Sequence, residues 1–148
     1  MKKVLKSVSI CFIIAAMLTV GAFAAVPVDP DQPQASKYIS ETWTVGGALG
    51  NGQVRFDFSI TATGRMKDVG ALQVNIYEVG VTKPVWSHYY TDFGCGYMMG
   101  HNTSAHTFGV TYDGQPQHRY YANVQFYAGA NGVAGGTHTM STIIITAV

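Results

Sequence analysis

The stretch "QVRFDFSITA", Gln53 to Ala62, decides the fold class. Val54, Phe56, Phe58, Ile60 and Ala62 alternate with Arg55, Asp57, Ser59 and Thr61. Successive side chains on a strand point to opposite faces, so a period of two predicts a strand with one apolar and one polar face. A slip of one residue would bury Arg55 and Asp57, so the register is strongly specified.

The same period recurs along the chain. "ALQVNIYEV" is predicted to point Leu72, Val74 and Ile76 inward and Gln73, Asn75 and Tyr77 outward. "TFGVTY" offers Phe108, Val110 and Tyr112 to the core. "YYANVQFYA" offers Tyr120, Ala122, Val124 and Phe126, and turns Tyr121, Asn123, Gln125 and Tyr127 out. "TIIITA" near the end, and the weaker "YISETWTV" and "PVWSHYYT", complete seven strands. Asn51-Gly52, Asp113-Gly114 and Asn131-Gly132 are expected to supply the positive φ that tight turns need. No segment shows a 3.6-residue period with caps. Strands of this length with frequent turns predict an all-β protein, an immunoglobulin-like or fibronectin type III-like antiparallel β-sandwich of about seven strands. Tyr120, two residues before Ala122 and four before Val124, resembles the tyrosine that leads the sixth strand of such sandwiches. The cysteine pair and central tryptophan of true immunoglobulin domains are missing.

Residues 1–24 read as a signal peptide. Lys2, Lys3 and Lys6 precede an apolar run from Val8 to Val20, and Ala22-Phe23-Ala24 has the small–x–small form of a cleavage site. The run is short for a membrane span, which needs about 20 apolar residues. An uncleaved anchor is the alternative. Cys11 lies inside the apolar run after Ile10, which argues against a lipoprotein. The expected product is secreted and bacterial in type, with no stable membrane insertion after cleavage. Residues 25–36 carry Pro27, Pro30 and Pro33 and predict an extended, flexible arm. Residues 37–148 form the single predicted domain. Without the three signal lysines, six Lys and Arg stand against eight Asp and Glu, a net charge of −2. That balance lacks the basic footprint of nucleic-acid binding. Cys95 is then the one cysteine left, so no intramolecular disulfide is available and the core must carry stability.

"FSITATGRMKDVGALQVNIYE", "YMMGHNTSAH" and "YYANVQFYAGANG" together resemble a family of small secreted β-sandwich proteins of Gram-positive bacteria. The shared features are a T-G-x-M-K turn, an M-M-G-x-N stretch followed by histidine, and a Y-Y-A-x-V-x-F-Y-A strand. The resemblance spans roughly residues 37–148. It implies export and one β domain, and transfers no catalytic residue. A looser layout resembles lactococcin 972-type bacteriocins: aromatic–Ser, Tyr, a polar loop, His, and a late alanine-containing strand. It implies a secreted bacteriocin-like effector as the alternative function, with no residue carried over.

"DFGCGYMMGHNTSAH", Asp92 to His106, concentrates soft ligands: Cys95, Met98, Met99, His101 and His106. Such side chains suit copper or zinc. The spacing matches neither a zinc ribbon, which needs a second cysteine, nor a cupredoxin loop, in which methionine follows histidine. The preferred reading is a long connection across one end of the fold. In it Met98 and Met99 plug the core, Gly94, Gly96 and Gly100 permit bends, and Cys95 is a small buried hydrophobe. Asn102 or Thr103 is expected to cap a turn. Cys95/His101 and Ser104/His106 are conceivable nucleophile–base pairs. No orienting acid or oxyanion motif accompanies them, and the sparse carboxylates form no acid–base pair. The expected function is therefore non-catalytic, with no cofactor.

The binding hypothesis rests on the outward residues Gln73, Asn75, Tyr77, Tyr121, Asn123, Gln125 and Tyr127. They comprise three tyrosines and four amides and carry no charge. Amides supply paired donors and acceptors, and tyrosines an apolar ring with a polar tip. The expected partner is a neutral glycan or a cell-surface protein.

Overall fold

Gln53 to Ala62 belongs to a strand far longer than its own alternation. The computed structural model describes residues 37–129 and 135–148. The signal peptide, the proline-rich arm and the Asn131-Gly132 turn lie outside these residues. Seven strands form one antiparallel sheet: β1 (Ile39–Gly50), β2 (Gln53–Glu78), β3 (Trp86–Tyr89), β4 (Met99–Asp113), β5 (Arg119–Gly129), β6 (Gly136–Ser141) and β7 (Ile145–Thr146). A 3-10 turn, Gly96–Met98, precedes β4. Among the described residues no helix is long and apolar enough to cross a membrane.

"QVRFDFSITA" and "ALQVNIYEV" are thus one strand of 26 residues, not two. β2 pairs with β1 and β4 over its first half. Over its second half it pairs with β5 and β3. At Asp68 to Gly70 it touches β4 and β5 at once, so these occupy opposite edges. β1 and β5 therefore share one edge of β2, and β4 and β3 share the other.

Two irregularities bend this strand. Thr61 pairs with Ala105 and Met66 with Thr103, so β2 uses five steps where β4 uses two. Ala71 pairs with Phe126 and Gln73 with Gln125, which leaves Leu72 as an extra residue. A bulge of this kind flips the alternation and increases the local twist. Val69 and Ala71 are buried on one side of it, and Val74 and Ile76 on the other. Leu72, expected inward, is only half-buried.

The bends curl the sheet around one core. Val54, Phe56, Phe58 and Ile60 from the first half of β2 are fully buried, as are Val74 and Ile76 from the second. β5 adds Tyr120, Ala122, Val124, Phe126 and Ala128, in the alternation its sequence predicts. Burial of each large side chain contributes about 1.5–3 kcal/mol. The sheet's far edges meet through side chains: Thr42 Oγ1 of β1 donates to Met140 Sδ of β6 at 2.8 Å.

The turns divide. Asn51 and Gly52 have φ of 53° and 82°, as a two-residue type I′ hairpin requires. Gly114 does not adopt positive φ, contrary to expectation; Gln117 does, at 69°. Gly114 is small for another reason: a Cβ there would stand 2.6 Å from the Tyr120 ring. "TIIITA" forms only the two-residue β7. Thr142 interrupts it, accepting the Ala122 N–H at its hydroxyl, and Ile143 and Ile144 are exposed.

Candidate functional site

The second half of β2, with β3, β5 and β6, builds a polar outer surface four strands wide. The strand phase after the Leu72 bulge turns Gln73, Asn75 and Tyr77 outward, and the buried alternates of β5 turn out Tyr121, Asn123, Gln125 and Tyr127. Antiparallel register then sets like opposite like: Gln73 faces Gln125, Asn75 faces Asn123 and Tyr77 faces Tyr121. β3 extends these rows with Tyr89 beside Gln73 and Ser87 beside Asn75. β6 extends them with Thr139 beside Gln125 and Ser141 beside Asn123. Rows on one face repeat about every 6.8 Å along the strands, and strands lie about 4.8 Å apart.

Hydrogen bonds fix this ladder. Gln73 Nε2 donates to Asn75 Oδ1 at 3.1 Å and lies 3.3 Å from Ser87 Oγ. Ser87 Oγ donates to Asn75 Oδ1 at 2.6 Å. Ser141 Oγ donates to Asn123 Oδ1 at 2.7 Å. Both asparagine oxygens are thereby occupied, and among the described residues neither asparagine NH₂ group, each with two donors, makes a side-chain hydrogen bond. The Tyr77 and Tyr121 rings stack with centroids 5.2 Å apart and planes at 14°. All seven predicted residues are half-buried, which matches side chains lying along a sheet surface. Tyr127 stands apart from the tyrosine stack. Its ring packs against Gly129 and Gly135, where a Cβ would collide with it.

Ser87, Tyr89, Thr139 and Ser141 complete the rows, and the sequence reading missed them. β3 is four residues long and its alternation is faint. β6, "GTHTMS", does alternate, with Thr137, Thr139 and Ser141 against His138 and Met140, but it lacks the large apolar residues that mark a strand. On its inner side His138 Nδ1 is buried and has no hydrogen-bond partner among the described residues.

The residues of Asp92 to His106 go elsewhere. Met98 is fully buried in the core, and Met99 and Cys95 are 5% and 7% exposed. The connection ends sooner than expected, because Met99 to His106 already belong to β4. Gly70 of β2 makes room for it, since a Cβ there would strike the Met98 carbonyl. Cys95 is a free thiol, and burial, followed by the nearby Asp92 carboxylate, raises its pKa above the ordinary value. A thiol so placed is held protonated, the opposite of an activated nucleophile. His101 Nδ1 sits 2.6 Å from Asp68 Oδ1 on the surface. His106 Nε2 lies 2.7 Å from the Tyr97 carbonyl oxygen and donates to it. The histidines thus have separate partners. Among the described residues no three His, Cys, Asp or Glu side chains are grouped to hold a metal ion. Asn102 has φ of 52°, and the Thr103 hydroxyl bonds both the carbonyl and the N–H of Ala105, as a turn cap does. An open depression of about 230 Å³ beside it is lined by Arg65, Asn102, Thr103 and Ser104.

Comparison with models of known protein families gives no match, and comparison with curated proteins gives none either.

Proposed function

We propose that this is a secreted, non-catalytic binding module whose amide–tyrosine face docks a neutral glycan. The observation that carries the reading is the cross-strand ladder. A Gln–Gln row, an Asn–Asn row and a stacked tyrosine pair form a continuous uncharged surface, with amide donors at fixed spacing. Sugar hydroxyls both donate and accept, so ordered amides suit them, and the outer face of a stacked tyrosine suits a pyranose ring. A merely solvated sheet face would be expected to carry Lys and Glu, and none occurs among these seven positions. A neutral protein surface is the competing ligand.

An immunoglobulin-like or fibronectin type III-like sandwich is the finer form of the fold in this proposal. The Tyr120 hydroxyl supports it by accepting the Gln115 N–H, five residues upstream, at 3.0 Å. The test of function is a glycan array probed with the chain beginning at Ala25, alongside Tyr121→Ala and Gln125→Ala. Both variants should lose binding while keeping a native melting transition. If the array is empty and a cell-surface pull-down also recovers nothing, or if both variants bind as the parent does, this face is not the site.

A further inference from the structure

We propose that the outer edge of β4 pairs with the same edge of a second copy of this chain, joining two sheets across a two-fold axis.

Sheet edges present unpaired N–H and C=O groups, and proteins protect them by shortness, charge, proline or cover. Two of the other strands expose little edge. β3 is four residues long and follows Lys83 and Pro84. β7 has two residues. β1 touches β6 where Thr42 donates to Met140. β4 has 15 residues, and among the described residues it pairs only with β2. From Thr103 to Tyr112 it carries no proline, lysine, arginine, aspartate or glutamate. Arg55 and Asp57 reach over its Gly109, but their 2.8 Å ion pair neutralises both charges.

The strand is also self-complementary. A two-fold axis perpendicular to the sheet keeps each face on its own side, so paired positions must have an even sum. An axis through Gly109 sets Thr107 against Thr111 of the partner subunit on the outer face. It sets Phe108 against Val110 of the partner subunit on the core side, and His106 against Tyr112 of the partner subunit. Thr–Thr, aromatic–β-branched and aromatic–aromatic pairs are the combinations that stabilise neighbouring strands. Asp113 falls opposite Ala105 of the partner subunit, so no like charges meet. Glycine at the axis leaves the two Arg55–Asp57 pairs flanking it without crowding from a second Cβ.

The test is mass measurement by light scattering across a concentration series, using the chain from Ala25. The parent should be a dimer. Thr107→Lys/Thr111→Lys and Thr107→Glu/Thr111→Glu each set two like-charge pairs across the axis and should each raise the dimer dissociation constant at least tenfold. An equimolar mixture of the two should recover dimers, because every cross-axis pair becomes Lys–Glu. Thermal melts of each monomer check folding, and recovery on mixing itself shows that both remain folded. A parent that stays monomeric up to millimolar concentration overturns the proposal. So does a dimer that the charge variants leave intact, or a failure of the mixture to associate more tightly than either variant alone.

Discussion

The amide–tyrosine face and the Cys95–Met99 segment both concentrate chemically versatile side chains, and the fold treats them oppositely. The face is turned out, held by side-chain hydrogen bonds and repeated across four strands. The segment is turned in: Met98 fills the core and Cys95 is buried beside it. Ligand-type residues near one another in sequence are therefore dispersed between core and separate partners. Residues of β2 and β5, far apart in sequence, are aligned into one surface by antiparallel register. The difference teaches that register, more than local composition, determines which groups act together.

The comparison breaks most visibly at Met98. Its removal from a fully buried position leaves a cavity, so Met98→Ala should cost about 2–5 kcal/mol, measured by urea denaturation. A loss near zero would show the segment to be a surface element after all. Copper or zinc titration beside the melts sharpens the point: the native chain should show no tight stoichiometric binding.

A smaller effect is expected on the face. The Tyr77–Tyr121 stack should contribute about 0.5–1.5 kcal/mol beyond area burial. A double-mutant cycle with Tyr77→Ala and Tyr121→Ala measures this coupling. Absence of coupling would mean that the ladder is not fixed in the geometry described.

The smallest effect is electrostatic. Burial raises the folded-state pKa of Cys95 above that of the unfolded thiol, about 8.5. The folded state thus holds the proton more tightly. The resulting stability is fully present below the unfolded pKa and is lost as pH rises through the folded one. Stability should therefore fall above about pH 8.5 more steeply in the parent than in Cys95→Ala. Denaturation midpoints of both chains at pH 7, 9 and 10 give the difference. Equal slopes would place the thiol in solvent.

Much of this architecture is legible in the sequence where one face of a strand meets the core and the other meets water. The alternation of Val54 to Ala62 and of Tyr120 to Ala128 is visible for that reason, and so is the polar face opposite the second run. The continuity of β2 is not legible. Thr63 to Lys67 has no apolar period, because a bulged bend satisfies backbone pairing without a regular side-chain pattern. Leu72 misleads for the same reason, since its phase depends on an extra residue that only the partner strand reveals. Ser87, Tyr89, Thr139 and Ser141 escape notice because edge strands bury little and carry a weak hydrophobic signal. Gly114 reads as a turn residue, although its small size serves the Tyr120 ring.

The most direct test of the account is a side-chain NH₂ titration by nuclear magnetic resonance, with ¹⁵N-labelled chain and a neutral oligosaccharide selected on the array. The account predicts saturable shifts at Gln73, Asn75, Asn123 and Gln125, with the Asn102 amide at the far bend unmoved. Shifts centred on Asn102, or saturable binding that leaves all four ladder amides unmoved, would contradict it.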